Sequence, residues 1–359
     1  MLGKNAITSL SGRHDTAVSL YLPLSPAQRD IRQQSAEIRQ TLDELEQKLG
    51  QHGLDAEAQS AVSGFLREKL EGLDLATHRS PCLAFFVGTD VREVVSLPEE
   101  MPRSLTVGHY FNIKPILPLV ARNHRFWLLA LSEGRARLFS MTPFQSEEVD
   151  LNLAPPAADA MPPAEHGAED GVAQQTADTL SMDLKDLLHA LETRLGSDTA
   201  PIVLAAEPKI GGHFRKAANL PQLLDESLIL NPHAFHPAEL QRRALDLMQP
   251  ALDASVDDVL QQVEARLGDA APNVAIRLEE ILAAAEEGRV DALLVAGDEA
   301  LWGRFEPGST LVAHGRPNGR DEDLLNQVAA VTLRNGGRAY AVPRARIPRA
   351  SPAAATLRY

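Results

Sequence analysis

Cysteine, aromatic residues and long apolar runs are all scarce in this chain. Cys82 is the only cysteine, so an intrachain disulfide or a zinc site with several cysteine ligands is excluded. Unbroken apolar runs such as residues 126–131 are far shorter than the ~20 residues that a membrane-spanning helix needs. Residues 1–15 contain no apolar signal-peptide core. We therefore expect a soluble protein of the cytoplasm, a reducing compartment, with no membrane partner.

The sequence also lacks the strongest signals of three large enzyme groups. It contains no GxSxG nucleophile elbow, no P-loop and no GxGxxG dinucleotide motif. The eleven histidines are scattered, and the closest pair, His233 and His236, lies in a turn with two prolines, so no metal site is expected. Cys82 lies in an apolar segment and is typical of a small core residue. We expect no cofactor.

The charge balance is acidic. Asp and Glu number 49 against 35 Lys and Arg, which gives a formal charge of −14. This balance disfavours indiscriminate nucleic-acid binding, and DNA is not expected as a partner. The apolar fraction of 44% is ample for buried cores, and 359 residues correspond to about two or three domains.

We predict an N-terminal α/β domain over residues 1–122. Residues 17–22 predict a strand, and residues 82–98 predict a β-hairpin because an apolar run and an alternating run flank a polar turn. Between them, apolar residues recur at helical spacing around Leu42 and around Leu66, which predicts an antiparallel helical hairpin. We expect this hairpin to pack on its own domain's sheet, and a partner-binding surface is the alternative.

A second domain is predicted over residues 123–268. Its pattern is a hairpin, a third strand, a helix and an apolar strand, an order that predicts a parallel crossover and an α/β domain. The predicted ranges of these elements are 127–141, 148–151, 180–195 and 201–206. From Pro237 a helical pattern runs to Leu267, and Gln249-Pro250 is expected to kink or divide it.

The last predicted domain, residues 269–359, is a small α/β unit. Helices and strands alternate along it: a helix at 274–285, a buried strand at 290–295, a helix capped by Asp321 and a final strand at 338–342.

Two loops carry candidate site residues. The stretch 150–178 is rich in Pro, Ala, Gly and acidic residues, and it carries a net charge of −6 with no Lys or Arg. The second loop, Gly211-Gly212-His213, follows an apolar strand and precedes Arg215 and Lys216, so it is a candidate anion-binding nest. A flexible turn before a helix is the alternative.

Four passages, in the right order, resemble one known family. ALSEGRARLF (130–139) is similar to the first hairpin of that family's middle domain, and residues 201–228 to its strand and following helix. Residues 276–295 are similar to the opening of its third domain, which also ends on Leu-Arg-Tyr, as residues 357–359 do here. The family is that of the bacterial archaeo-eukaryotic release factors, relatives of class I peptide-chain release factors and Pelota.

The resemblance implies a ribonuclease-H-like middle domain and a third domain like the ribosomal proteins that bind kinked RNA. It also implies association with the ribosome, with rRNA or tRNA as the contacted partner. In true release factors a Gly-Gly-Gln loop enters the peptidyl-transferase centre, where a backbone amide stabilises the leaving oxygen while water attacks the ester.

This sequence departs from the family in that loop. The matching stretch, 150–178, contains no Gly-Gly-Gln, and its nearest candidates are His166, beside Gly167, and Gln174 and Gln175, after Gly171. A loop of net charge −6 is also poorly suited to approach densely packed phosphates. We therefore expect no ester hydrolysis.

Three hypotheses follow. The first is a non-catalytic factor that binds ribosomes or structured RNA in translation, ribosome rescue or storage. The second is a peptidyl-tRNA ester hydrolase that uses residues 166–175, with His166, Gln174 and Gln175 as catalytic candidates. The third is an acidic protein-interaction module with no RNA role.

The C-terminal end is the exception to the acidic balance. Residues 334–359 hold six arginines and no Asp or Glu. Arginine suits phosphate because its planar guanidinium donates two hydrogen bonds at once. The candidate RNA-binding residues are Arg338, Arg344, Arg346 and Arg349; a solvated basic tail that balances acidic neighbours is the alternative.

Overall fold

The computed structural model describes residues 4–24, 31–52, 56–73, 80–121, 125–153, 184–196, 198–269, 271–305, 311–314 and 321–359. The chain divides into two units, one made of Met1–Asn123 with Pro250–Tyr359 and the other of His124–Gln249. The predicted mixed α/β class with several sheets is confirmed. The boundaries of three domains stay a prediction.

An antiparallel sheet lies in the N-terminal part of the first unit. Its strand order is β3-β2-β1-β4, with β1 (Ala17–Pro23), β2 (Cys82–Gly88), β3 (Arg92–Leu97) and β4 (Ser104–Gly108). The hairpin predicted over 82–98 is confirmed as β2 and β3. Sequence reasoning missed β4, because its alternation of polar and apolar residues, Ser-Leu-Thr-Val, extends over only four positions and gives a weak strand signal. Cys82 is fully buried, as predicted for a core residue, and burial raises the pKa of its thiol to about 11.

The predicted helical hairpin is also confirmed, and it packs on this sheet. The hairpin consists of α2 (Ile31–His52) and α3 (Ala56–Glu71). Two short helices belong to the same part of the chain: α1 (Lys4–Leu10) and α4 (Leu117–Ala121), which follows a 3-10 turn at Lys114–Ile116. Leu42 of α2 and Leu66 of α3 share one core with Leu20 and Phe85 of the sheet. Each such side chain contributes about 1.5–3 kcal/mol by leaving water. Own-sheet packing is therefore the observed role of the hairpin's apolar face.

The C-terminal part of the first unit contains a second sheet, of order β10-β16-β11-β15. Its strands are β10 (Val274–Ala275), β11 (Val290–Ala296), β15 (Arg338–Val342) and β16 (Ala353–Leu357). The prediction that 338–342 is the final strand is wrong, since β16 follows it and pairs antiparallel with β11. Alanine favours helices, so the sequence AAATL gives no strand signal, yet its small side chains fit a fully buried position.

Two helices accompany this sheet, α8 over Leu278–Glu286 and α9 over Leu324–Arg334. Helices are numbered in chain order. The helix predicted from residue 274 begins later, because Val274 and Ala275 pair with β16 as strand β10.

A third, small sheet precedes α9. Its order is β13-β12-β14, with β12 (Trp302–Arg304), β13 (Val312–Ala313) and β14 (Glu322–Asp323). The helix cap predicted at Asp321 is wrong by two residues. Asp323 caps α9, where its side chain accepts a hydrogen bond from the Leu325 amide at 3.1 Å.

The second unit is built on a five-stranded sheet of order β7-β6-β5-β8-β9. The strands are β5 (Phe126–Ser132), β6 (Arg135–Thr142), β7 (Gln145–Val149), β8 (Ile202–Ala206) and β9 (Leu223–Ile229). The first three are antiparallel, and β8 and β9 run parallel to β5, so the hairpin and the parallel crossover are confirmed. The predicted third strand at 148–151 begins earlier, because a two-residue turn after Thr142 brings Gln145 into register with it.

The helices of this unit cover the sheet. They are α5, described over 184–195, α6 (Pro208–Ala217) and the first part of α7 (Pro237–Gly268). Leu191 of α5 and Phe214 of α6 share a core with Leu129 and Leu204. The predicted division at Gln249-Pro250 is wrong, since α7 runs through Pro250, and the alternative of a kink at this proline stays a prediction.

Among the helices described, none is long and apolar enough to cross a membrane.

Candidate functional site

The candidate RNA-binding arginines lie in β15 and in the turn that joins it to β16. Arg344, Arg346 and Arg349 share that turn, which consists of two short 3-10 segments. Arg338 begins β15 and is separated from the turn by the length of the strand, about 13 Å at ~3.3 Å per residue. The structure therefore brings together three of the four predicted residues and leaves Arg338 at the other end of the strand.

Three of these arginines make ion pairs with acidic residues of the same unit. Arg338 pairs with Asp291 at 2.8 Å, Arg344 with Glu299 at 2.7 Å, and Arg346 with Asp257. All three guanidinium side chains are roughly half exposed. Exposed pairs of this kind contribute about 0–1 kcal/mol, so water or a phosphate oxygen can replace the carboxylate at little cost.

Arg344 also holds the shape of the turn. Its amide donates to Asp298 Oδ1 at 3.0 Å, and its Nε donates to the Ala350 carbonyl at 2.8 Å. The Nε group is therefore hydrogen-bonded within the turn, while Nη1 donates to the carboxylate of Glu299. Substitution of Arg344 consequently affects both the charge and the conformation of the turn.

Arg349 has the most unusual backbone of the four. Its φ is 59°, and that of the next residue, Ala350, is 50°, so two consecutive residues with side chains occupy the left-handed region. Arg349 is exposed and makes no ion pair with any residue in the described part of the chain. Strained backbone of this kind is concentrated at functional sites, and Arg349 is the candidate whose charge is most available to a ligand.

The catalytic candidates His166, Gln174 and Gln175 lie outside the described residues. The described structure resumes with α5, and β7 and residues 150–153 precede the gap. The stretch lies between β7 and α5 in the chain, and its structure as a loop stays a prediction.

The second candidate loop is a helix. Gly211, Gly212 and His213 lie in the middle of α6, and the Gly211 amide donates to the Glu207 carbonyl at 2.9 Å. The predicted anion-binding nest is wrong, because a nest requires successive amides that are free and convergent, and helical amides are committed to carbonyls. Gly211 instead faces β8, and a Cβ there would make ordinary van der Waals contact with the Cβ of Ala206 at 3.5 Å.

A charged cluster that sequence reasoning missed surrounds Asp321. The carboxylate is completely buried; it accepts a hydrogen bond from His314 Nδ1 at 2.6 Å and pairs with Arg304 Nε at 3.3 Å. The imidazole of His314 is held in the tautomer that carries a proton on Nδ1, because a carboxylate only accepts. Arg304 ends β12, His314 directly follows β13 and Asp321 directly precedes β14; these strands have only two or three residues, so no sequence pattern links the three side chains.

The histidine pair at 233 and 236 shows no metal-binding geometry. Burial first, and then Arg137 and Arg135, lower the pKa of His233. His236 Nδ1 accepts a hydrogen bond from the Ala238 amide at 3.4 Å. In the part of the chain that can be described, no group of three or more His, Cys, Asp or Glu residues is arranged to hold a metal ion.

The middle of the chain matches a known protein family. Residues 125–289 match the family model of bacterial archaeo-eukaryotic release factor family 3. The match takes in the five-stranded sheet, all of α7 and α8, a little less than half of the chain. The resemblance stated from the sequence is thereby confirmed over this range. No curated protein is significantly similar in sequence.

Solved structures with detectable likeness include an archaeal termination factor, a yeast termination-like factor and an archaeal Pelota. An archaeal translation termination factor, aRF1, is 14% identical with a TM-score of 0.25, over 100% of this chain and 99% of that chain. Dom34 of S. cerevisiae, a translation termination-like factor, is 12% identical with a TM-score of 0.33, over 77% and 73%. A ribosome-bound archaeal Pelota is 11% identical with a TM-score of 0.33, over 99% and 94%.

Proposed function

We propose that this chain, which is release-factor-like over residues 125–289, associates with ribosomes and acts in translation, ribosome rescue or storage. The observation that carries the proposal is the family match. A role on ribosomes would locate the protein in the cytoplasm. No cofactor is part of the proposal.

The fold of the second unit supports a ribonuclease-H-like middle domain. Three antiparallel strands, followed by two strands parallel to the first, give the spatial order 3-2-1-4-5 within the sheet. This is the order that a ribonuclease-H-like sheet has. For the C-terminal part, the mixed sheet with α8 and α9 is compatible with the proposed likeness to RNA-binding ribosomal proteins.

We assign RNA contact to the basic turn, with rRNA or tRNA as the ligand. Arg344, Arg346 and Arg349 supply three guanidinium groups within one turn, and Arg338 extends the basic surface along β15. The half-exposed pairs of Arg344 and Arg346 can be exchanged for phosphate, and Arg349 is available without exchange. Phosphate contacts by such residues account for affinity and for its salt dependence.

We propose further that the protein does not hydrolyse peptidyl-tRNA. Residues 150–178 contain no Gly-Gly-Gln and carry a net charge of −6, which disfavours entry into a site walled by phosphates. A hydrolase that uses His166, Gln174 or Gln175 is the competing function. The observation in its favour is that these residues lie between β7 and α5 in the chain.

Two measurements test the proposal. Co-sedimentation with purified ribosomes at low and moderate salt is expected to show binding that weakens as salt rises; absence of binding at low salt would favour the acidic interaction module instead. Release of formylmethionine from a programmed ribosome separates the two RNA-linked functions. We expect no release above background, whereas release that is lost in Gln174→Ala or Gln175→Ala would establish the hydrolase.

A further inference from the structure

The first unit joins two stretches of chain that are far apart in sequence, and buried polar groups connect them. Lys114 lies in the 3-10 turn before α4, and its side chain is only 8% exposed. Its ammonium group pairs with Asp323, the cap of α9, and donates to the backbone carbonyl of Glu299. The carboxylate of Asp323 is 12% exposed. A buried charge is stable only when it is paired, so Lys114 depends on residues more than 180 positions later.

Asn326 makes the second connection. It is 4% exposed on α9, and its Oδ1 accepts hydrogen bonds from the amides of Ile113 at 2.9 Å and Lys114 at 3.0 Å. Its Nδ2 donates to the carbonyl of Phe111 at 2.9 Å. Two donors on one side and an acceptor on the other fix which end of the amide is oxygen. An asparagine is therefore required, since an aspartate would place an oxygen against the Phe111 carbonyl.

The third connection lies at the end of β4. Glu322 accepts a hydrogen bond from the His109 amide at 2.6 Å. A Cβ on Gly108 would lie 2.6 Å from a carboxylate oxygen of Glu322, so a larger residue there would displace the carboxylate from this position. The three connections follow one another along residues 108–114 and along residues 322–326.

We propose that residues 108–114 and 322–326 form a polar lock that makes the N-terminal and C-terminal segments of the first unit open and unfold as one cooperative body. In an opened state Lys114 and Asn326 lose every hydrogen-bond partner described above, while Asp323 keeps its bond to the amide of α9. The lock consequently stabilises the joined state, because groups of both segments lose hydrogen bonds when the segments separate. This inference is independent of ribosome binding, since it concerns the folded chain alone.

Hydrogen–deuterium exchange of the full chain, read by peptide mass spectrometry, tests the lock. Asn326→Asp preserves size and helix position, and Lys114→Met preserves much of the apolar stem. Each variant is expected to raise exchange by about tenfold to a hundredfold, the effect of leaving a buried polar group without its partner, both in peptides of β4 and α4 and in peptides of α9 and β15. Lys69→Met, which removes an exposed lysine of α3 from the same unit, is the matched control and is expected to change neither.

A change in exchange that is limited to one segment is the opposite result. Faster exchange confined to the mutated segment, with the distant segment unchanged, would overturn the proposal. Should either variant fail to fold, exchange of the unmodified chain in low denaturant decides the question. The slowest amides of β4 and of α9 are expected to share one opening free energy and one dependence on denaturant, and two different values would show that the segments open separately.

Discussion

Glu322 shows how one buried group shapes the response of the first unit to pH. Burial raises the pKa of its carboxyl group, and the hydrogen bond from the His109 amide offsets this only in part. A carboxyl group whose pKa is raised on folding favours the folded state most at low pH. That contribution is lost as pH rises through the raised pKa.

We therefore expect Glu322→Gln to flatten the pH dependence of stability. Between pH 4 and pH 7, the free energy of unfolding of the unmodified protein should fall relative to that of the variant, because the amide of glutamine does not ionise. Urea titrations at several pH values measure the difference. A constant gap between the two proteins across this range would show that Glu322 does not titrate with folding. Glu279→Gln, at the start of α8 in the same unit, serves as the control.

Asp321 and Asp323 illustrate what residue patterns leave open. Both aspartates precede the apolar stripe of α9 closely enough to serve as its cap, and the sequence prediction chose the wrong one. The choice depends on Arg304 and His314, which bind Asp321 in the small sheet and leave Asp323 to the helix. Arg304 lies in β12 and His314 directly follows β13, and strands of two or three residues cannot be predicted from local periodicity.

At the scale of elements, the glycine pair of α6 offers the sharpest test. Gly212 is exposed in the middle of the helix, and a Cβ there would meet nothing within 4 Å. Gly212→Ala is expected to stabilise the protein by about 0.5–1 kcal/mol, because alanine loses less backbone entropy in a helix. Chemical denaturation measures the gain. Co-sedimentation with ribosomes should be unchanged, and a loss of binding would restore the glycine pair as a ligand site.

Elements with strong periodicity were predicted well, and elements defined by tertiary pairing were not. The helical hairpin and the hairpins of β2–β3 and β5–β6 follow from apolar spacing and polar turns. Strand β16 could not be recognised, because alanine carries no strand preference and only its position between β10 and β11 makes it a strand. The arginines of the basic turn were found by composition, but their acidic partners lie elsewhere in the chain, out of reach of any local pattern.

At the scale of the whole molecule, the basic turn predicts the salt response of ribosome binding. The triple variant Arg344→Ser, Arg346→Ser, Arg349→Ser is expected to weaken co-sedimentation and to reduce the slope of log affinity against log salt by up to about three units. A charge-matched control replaces the exposed Arg67, Arg194 and Arg277 with serine. Equal affinity and slope in a folded triple variant would remove this turn as the RNA-facing surface.

The division of the chain into two units predicts its thermal behaviour. Calorimetry of the full chain is expected to resolve at most two transitions, because Met1–Asn123 and Pro250–Tyr359 share one unit. Asn326→Asp should lower the transition of that unit and leave the other at its original temperature. Three separate transitions in the unmodified protein would favour the three domains suggested by the sequence.

Glu299 connects the polar lock to the basic turn. Its backbone carbonyl accepts from Lys114, while its carboxylate pairs with Arg344 of the basic turn. A phosphate that draws Arg344 away from Glu299 acts on the residue that also holds Lys114, and thermodynamic linkage makes any such influence reciprocal. We therefore expect Asn326→Asp, which leaves every arginine in place, to change ribosome affinity. An unchanged affinity would mean that the two contacts of Glu299 are energetically independent. The N-terminal segment would then have no influence on ribosome binding through this residue.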